Sequence, residues 1–413
     1  MKKITLLVAV FLLSQNLLFS QEKETKLNLF ITCNFCDVSY VKQNLEYAEF
    51  VRDQNYADVH LFFRNQRNGS GGREYEIEFI GQNTYKDFQG KITFSTTSDN
   101  TSDEIRKLIL KNIRFGLIRY WIKAGFKDKL SLKITKPKVN AGIVKEEVDA
   151  WNKWVFRVGA QGFFMGQETY KNRSLNFNVS ARRVTEKNKF SFSLNFNDNK
   201  SVFKLDGMED FVSKNSSKNA SISNVFSIND HWSAGFFARA GSSDYDNKDL
   251  YASFLPAIEY NFFTYKESTK QQLKLAYKVG AMYANYTEKT VFNKFEEYLW
   301  NHDLSLQGSV YKTWGTINGS ISYESYLHDA SLNEFSFSLG TNVRLFKGFS
   351  FNVNGDYNIT NNQISLPAGN LSVEEILLRQ QQIKSGYNYF FMAGINYTFG
   401  SRFNSVVNPR FGF

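Results

Sequence analysis

Phe335-Ser336-Phe337-Ser338-Leu339-Gly340-Thr341-Asn342-Val343-Arg344-Leu345 sets residues that hydrocarbon accepts at every odd position and residues that suit water at every even one. A period of two is that of a β-strand, and here it offers a different solvent to each face. One such strand fits a soluble sheet. About a dozen in succession predict a barrel in a membrane.

The flanking sequence keeps step. After a turn at Phe346-Lys347-Gly348, the residues Phe349, Phe351, Val353, Tyr357 and Ile359 alternate with Ser350, Asn352, Asn354, Asp356 and Asn358, so both strands of this hairpin aim their aromatics the same way. A last zigzag puts Tyr387, Tyr389, Phe391, Ala393, Ile395, Tyr397 and Phe399 on one face, with Asn388, Gly394, Asn396, Thr398 and Gly400 on the other. Its length exceeds the ~9–11 residues that cross a bilayer at a tilt.

Composition agrees with this reading. Of 413 residues 40 are Phe and 22 Tyr, more than a soluble core of this length needs. The mean hydropathy is nevertheless −0.40, because polar residues alternate with the apolar ones. Only 4 prolines interrupt the chain, which suits long strands. No internal run of about twenty apolar residues exists, which excludes helical spans.

The start of the chain supplies an export route. Lys2 and Lys3 precede the apolar run from Ile4 to Leu12 and Leu17-Leu18-Phe19, and Ser20 is a small residue before Gln21-Glu22-Lys23; residues 1–20 read as a secretory signal peptide, with a signal anchor as the alternative. Absence of a cysteine at the cleavage point argues against a lipid-modified terminus. An exported chain of amphipathic strands is expected in the outer membrane of a Gram-negative cell.

Residues 27–137 read differently, as a compact α+β domain followed by a linker over 138–150. Residues 27–32 form a short apolar strand, Asp37 caps a helix running to about Arg52, and residues 57–66 and 73–82 pair across Gly69-Ser70-Gly71-Gly72. Residues 91–96 add a strand. Thr101 and Glu104 make a capping box ahead of the stripe Ile105, Leu108, Ile109, Ile113, Leu117 and Trp121, and residues 130–135 close the unit as a strand.

This order, with the entry Ala57-Asp58-Val59-His60-Leu61 and a glycine-turn hairpin, resembles the α/β domain at the N-terminus of the Tol-Pal translocation protein and in the curli-secretion lipoprotein. The resemblance covers about a quarter of the chain and implies a periplasmic domain that binds another protein. It carries over no functional residue. The region 151–413 resembles the broad class of bacterial outer-membrane β-barrels.

Twelve strands are expected there, near 154–166, 174–184, 189–197, 219–229, 231–242, 252–264, 271–286, 297–312, 315–326, 334–345, 349–361 and 387–400, with ten or fourteen left open by the ambiguous stretch 198–218. Short connections alternate with long ones at 198–218, 287–296 and 362–386. Short turns belong in the periplasm, so both barrel ends and the N-terminal domain are expected on that side.

Candidate chemistry is sparse. Cys33 and Cys36 lie between a strand and a helix, an order shared by redox Cys-x-x-Cys sites, but the spacer Asn34-Phe35 lacks the usual tryptophan and no facing proline is present. A structural disulfide, redox exchange and a metal site all stay open, with the disulfide favoured and metal least so for want of a second ligand pair. Gly69 to Gly72 precede a strand and no Lys-Ser/Thr follows, so a hairpin tip is expected and not a phosphate cradle. Arg64, Arg67 and Arg73 lie near that tip, solvated by default.

His302-Asp303 and His328-Asp329 are the pairings that hint at a hydrolase, a protease or phospholipase with a rim site. Adjacent strand residues face opposite ways, so neither pair is itself a dyad. His302 shares its phase with Trp300, Leu304 and Leu306, and Asp303 points inward. No catalytic residue is assigned.

The inward phase collects Arg157, Arg182, Arg239, Glu259, Lys274, Lys278, Asp303, Glu324, Arg344 and Asp356. These either pair across the interior and plug it, or line a small anion-preferring passage. Ser372 and Glu375 make a capping box for a short helix over 373–382, which folds inward as a plug or outward as a contact surface. The net charge of +10 is no argument for nucleic acid, because a membrane-exposed barrel meets anionic lipid anyway.

The expectation is therefore a transmembrane antiparallel β-barrel of about twelve strands preceded by a small periplasmic α+β domain, acting in transport, secretion or envelope assembly. No cofactor or metal is called for. The partners expected are outer-membrane lipid, a periplasmic protein and the barrel-assembly machinery, which commonly reads a terminal aromatic such as Phe413. Residues 401–413 either continue the last strand past a bend, or leave that role to Tyr397 and Phe399.

Overall fold

The computed structural model describes residues 26–131, 149–204, 207, 209–346, 348–369, 385–401 and 410. The expected signal peptide, most of the linker, the capping box at Ser372 and most of the C-terminal tail, Phe413 included, lie outside them.

The N-terminal unit is a five-stranded sheet in the order β2-β1-β3-β4-β5, with β1 (Leu27–Thr32), β2 (Ala48–Phe50), β3 (Val59–Arg67), β4 (Arg73–Gly81) and β5 (Gln89–Ser95). Strand β1 runs parallel to β2 and β3, and β3-β4-β5 is an antiparallel meander. Helix α1 (Val38–Asn44) starts at Asp37, whose carboxylate accepts from the Tyr40 amide, but it stops at Asn44. The expected helix to Arg52 is wrong: residues 48–50 pair with β1 instead, an edge strand that offers Phe50 to the core.

Helix α2 (Ser102–Lys123) opens with the Thr101/Glu104 capping box in both directions and buries Ile109, Ile113, Leu117, Tyr120 and Trp121 against Leu29, Leu61, Ile77 and Phe79. These residues recur at three- and four-residue steps on the helix and two-residue steps on the strands, so one stripe meets one sheet face. Leu130 and Ser131 are not strand, contrary to the expected closing strand, whose remaining residues fall outside the described ones.

Strand β3 is buried over Val59–Arg64 on both faces. Leu61 and Phe63 face the helices; His60, Phe62 and Arg64 face the other way, toward the second sheet. That second burial explains why β3 carries Phe62 beside Leu61 and Phe63 and lacks a polar zigzag.

The second sheet has twelve antiparallel strands, each paired only with its sequence neighbours: β6 (Trp154–Gly166), β7 (Tyr170–Val184), β8 (Asn188–Phe203), β9 (Phe211–Ser227), β10 (Trp232–Ser243), β11 (Lys248–Asn261), β12 (Gln271–Tyr286), β13 (Glu296–Lys312), β14 (Gly315–Tyr326), β15 (Asp329–Phe346), β16 (Phe349–Thr360) and β17 (Tyr387–Tyr397). Strands β8 and β9 extend through most of the ambiguous stretch, so the described residues hold twelve strands and the expected long loop at 198–218 shrinks.

The sheet is open among the described residues. Strands β6 and β17 are its edges, and no ladder joins them. Phase also shifts there: Phe390 pairs with Asp356 and Met392 with Asn354, so two exposed apolar side chains share the face that carries Asp356. Phe163 and Met165 do the same on β6, lying an even number of residues from Arg157. All four are about half exposed.

Candidate functional site

Register decides which side chains share a face, because directly paired residues point the same way. Arg157 pairs with Ser180, two residues from Arg182; Arg182 pairs with Ser191, Ser193 with Ser221, and Ser221 with Arg239. Arg239 pairs with Ser253, six residues before Glu259, and Glu259 pairs with Ala276, between Lys274 and Lys278. Lys278 pairs with Asp303, Asp303 with Glu324, Glu324 with Glu334, and Arg344 with Ser350, six residues before Asp356. All ten charged candidates thus occupy one face. The other carries Phe156, Phe177, Phe254, Trp300, Leu304 and Phe337, all exposed.

The same parity adds Glu297 and Glu334, which the sequence reading missed because both sat at the margins it drew for their strands. Charge is sorted along the strands. Arg157, Arg182, Lys274 and Arg344 lie within three residues of the sheet end that carries the N-terminal domain, here the near end, whereas Glu297, Glu324, Glu334 and Asp356 lie within five of the far end. Glu259, near the domain, and Arg239, four residues from the far end of β10, are exceptions.

Few of these charges neutralise one another. Among the ten, in the described residues, only Lys278 and Asp303 form an ion pair, at 3.2 Å. Glu324 accepts from Asn301 Nδ2 at 2.8 Å, and Glu297 accepts from the Tyr286 hydroxyl at 2.6 Å. Glu259 accepts from the Tyr265 hydroxyl at 3.4 Å, while Lys274 and Lys278 line a cavity of about 220 Å³ on the same face. Wholesale cross-pairing does not occur.

The far end is partly covered by the chain itself. Residues 361–369 fold back so that Ile364 packs on Leu299 and Tyr326. The Leu366 carbonyl accepts from the Val291 amide and the Lys289 carbonyl from the Ala368 amide, each at 2.8 Å. Asn247 Nδ2 donates to the Ser365 carbonyl at 3.0 Å and to the Glu288 carbonyl at 2.9 Å, tying three connections together.

The near end is covered by the N-terminal domain. Its hairpin tip, closed by the Asn68 amide on the Gly72 carbonyl, reaches the β7–β8 turn, where a Cβ placed on Gly69 would lie 2.8 Å from Val184 Cβ. Ser268, between β11 and β12, donates to Gln66 at 3.3 Å, and Arg52 Nη1 donates to the Phe399 carbonyl at 3.2 Å. Arg344 stacks its guanidinium on Phe30, 4.7 Å from the ring centroid, and Nη1 lies 3.5 Å from Gln54 Oε1. Arg344 therefore serves the domain junction as well as the polar face.

Behind Phe30 lies His60, fully buried, with Nε2 2.9 Å from Thr32 Oγ1. Burial, and secondarily the charge of Arg344, lower its pKa to about 4, so it is neutral in the folded domain. Beyond Phe62 on the same face, Arg64 bridges Glu76 at 2.5 Å and Glu78 at 2.7 Å, and Lys91 reaches Glu76 at 2.9 Å. Burial by itself raises the Glu76 carboxyl; Lys91 and Arg64 outweigh it and hold the group below its ordinary range. Arg64 is thus a buried partner and not the solvated turn residue expected of it.

Cys33 and Cys36 are joined in a disulfide, with Cα atoms 5.7 Å apart. The pair His302-Asp303 divides between the two faces as its phase requires. His302 Nε2 lies instead 2.8 Å from Ser325 Oγ, between the rings of Tyr277 and Tyr323. Ser325 is only 2% exposed, which leaves no room for a substrate carbonyl at its oxygen. Asp329 is held by the Ser331 amide and hydroxyl beside its own turn.

No protein-family model matches this chain, and no curated protein matches it. Among solved structures it is similar to "NanC porin structure in rhombohedral crystal form", at 7% identity and a TM-score of 0.29, over 59% of this chain and 100% of that one.

Proposed function

We propose that this chain is an outer-membrane transport protein: a twelve-stranded barrel whose periplasmic mouth is closed by its own α/β domain. The observation that carries the reading is the register, which sorts ten charged side chains onto one face and most large exposed apolar side chains onto the other, the edge strands β6 and β17 excepted. In hydrocarbon, unpaired backbone groups at β6 and β17 would cost several kcal/mol each, so the sheet closes through those edges on insertion. The polar face then lines the interior.

Orientation follows from connections. The chain enters β6 and leaves β17 at the end where the α/β domain sits, and residues 361–369 follow β16 at the other, which suits a periplasmic domain and an external loop. The passage opens when the domain leaves the turns, and a periplasmic protein partner would hold it away. The basic near end and acidic far end would make that passage electrically asymmetric.

The test locks the domain in place. Gly69→Cys with Val184→Cys in the full-length protein, oxidised, is expected to hold planar bilayers silent, and reduction is expected to restore conductance to the level of the wild type under the same reductant. Equal conductance before and after reduction would sink the gating role.

A further inference from the structure

Between the barrel-facing side of the α/β sheet and the turns β13–β14 and β15–β16 lies a cleft of about 720 Å³. That size is within the ~300–1,000 Å³ typical of small-molecule sites. Five cationic side chains line it, Arg52, Arg64, Arg73, Lys312 and Arg344, against the single carboxylate Asp53. Arg64 is already matched by Glu76 and Glu78. Arg52 and Arg73 donate to neutral acceptors, the Phe399 carbonyl and Asn65, and Arg344 donates to Gln54 with Asp53 acting on its charge, so the cations lining the cleft outnumber the carboxylates that face them.

The cleft also crosses the rim. Asn342, Arg344 and Ser350 belong to the polar face, whereas Lys312 and Phe349 have the opposite parity and belong with the apolar side chains. Phe349 pairs with Tyr397, and Trp314 sits at the turn, so an aromatic shoulder leads from the outer face into the basic pocket. Rings at that level suit the boundary between acyl chains and headgroups. A soluble anion would have no use for the shoulder.

We propose that this cleft binds the phosphate-bearing headgroup of an anionic phospholipid of the periplasmic leaflet. Its acyl chains lie along Phe349 and Tyr397, and its phosphate is held between Arg52 and Lys312, with Arg344 behind them. Guanidinium and ammonium donors to phosphate give the strong, charge-assisted class of hydrogen bond. Bound there, the lipid bridges the α/β domain to the barrel and makes the closure of the mouth depend on the membrane's composition. The proposal rests on the membrane-barrel reading.

Full-length protein in detergent is titrated with phosphatidylglycerol, phosphatidylcholine or glycerol phosphate and observed by native mass spectrometry, with insertion scored separately by heat-modifiable electrophoretic mobility. Phosphatidylglycerol is expected to bind at least about tenfold more tightly than phosphatidylcholine, and Arg52→Gln with Lys312→Gln to abolish that preference. Lys266→Gln, an exposed lysine on another near-end turn, is expected to leave it intact. Equal binding of the two lipids, or equal loss with Lys266→Gln, overturns the site. Glycerol phosphate competing as well as the lipid assigns the cleft to a soluble phosphate and overturns the lipid assignment. Loss of heat-modifiability in the wild type would refute the barrel and not the cleft alone.

Discussion

The two sheets of this molecule use the same two-residue alternation toward opposite ends. In the five-stranded sheet, Leu29, Leu61 and Ile77 are completely buried under α2, and stability comes from a core that needs no membrane. In the twelve-stranded sheet the equivalent apolar positions, such as Phe254 and Trp300, are more than half exposed. One sheet thus has a core of its own and the other leaves its apolar face exposed, and a perturbation of one need not reach the other.

The largest expected separation comes from the domain core. Phe79→Ala removes a ring packed under α2 and is expected to cost about 3–5 kcal/mol, making residues 26–131 sensitive to limited proteolysis. The inserted barrel should keep its heat-modifiable mobility. Coupled loss of both would mean that the two regions fold as one unit.

Within the barrel the contrast is between faces. Leu304 lies at the middle of β13 on the apolar face, and Gln307 lies three residues along on the polar one. Leu304→Arg is expected to destabilise the inserted protein by about 2–4 kcal/mol, and Gln307→Arg by less than about 1 kcal/mol, in denaturant titrations from bilayers. Equal costs would erase the distinction between the faces.

Acid distinguishes the two regions again. The unfolded His60 imidazole takes up a proton as pH falls through its ordinary value of 6.5, whereas the folded one does so only near 4. Stability is therefore full above that window and is lost through it, by about 2 kcal/mol on going from pH 7 to pH 5. His60→Gln should flatten this slope in denaturation of the domain, and an unchanged slope would remove His60 as its source. Smallest is the cap: Thr101→Ala is expected to cost about 1 kcal/mol in the same assay.

Much of the twelve-stranded sheet was legible because an amphipathic strand writes its phase into every residue. Phe335 to Leu345 gave a count and a phase for the strands around it, and the phase of all ten charged candidates follows the observed register. The edges were less legible. Phe163, Met165, Phe390 and Met392 break the alternation where pairing stops, and a single-chain pattern does not say which strand is an edge.

In the N-terminal domain, Thr101 and Glu104 announced α2 because a capping box is local chemistry. The end of α1 was not legible, since Ala48 and Phe50 are drawn into pairing with Leu27 and Leu29 by tertiary contacts that override helical spacing. Nor was the second burial of His60 and Arg64. It depends on the near end of the other sheet, hundreds of residues away.

The most direct test returns to residues 335–345. Single cysteines placed along this stretch of the reconstituted full-length protein, spin-labelled and probed with oxygen and with a water-soluble relaxant, should show two opposed oscillations of period two, with odd positions in lipid and even positions in water. Uniform accessibility to the aqueous reagent along the whole stretch would contradict a membrane-spanning strand, and with it the barrel.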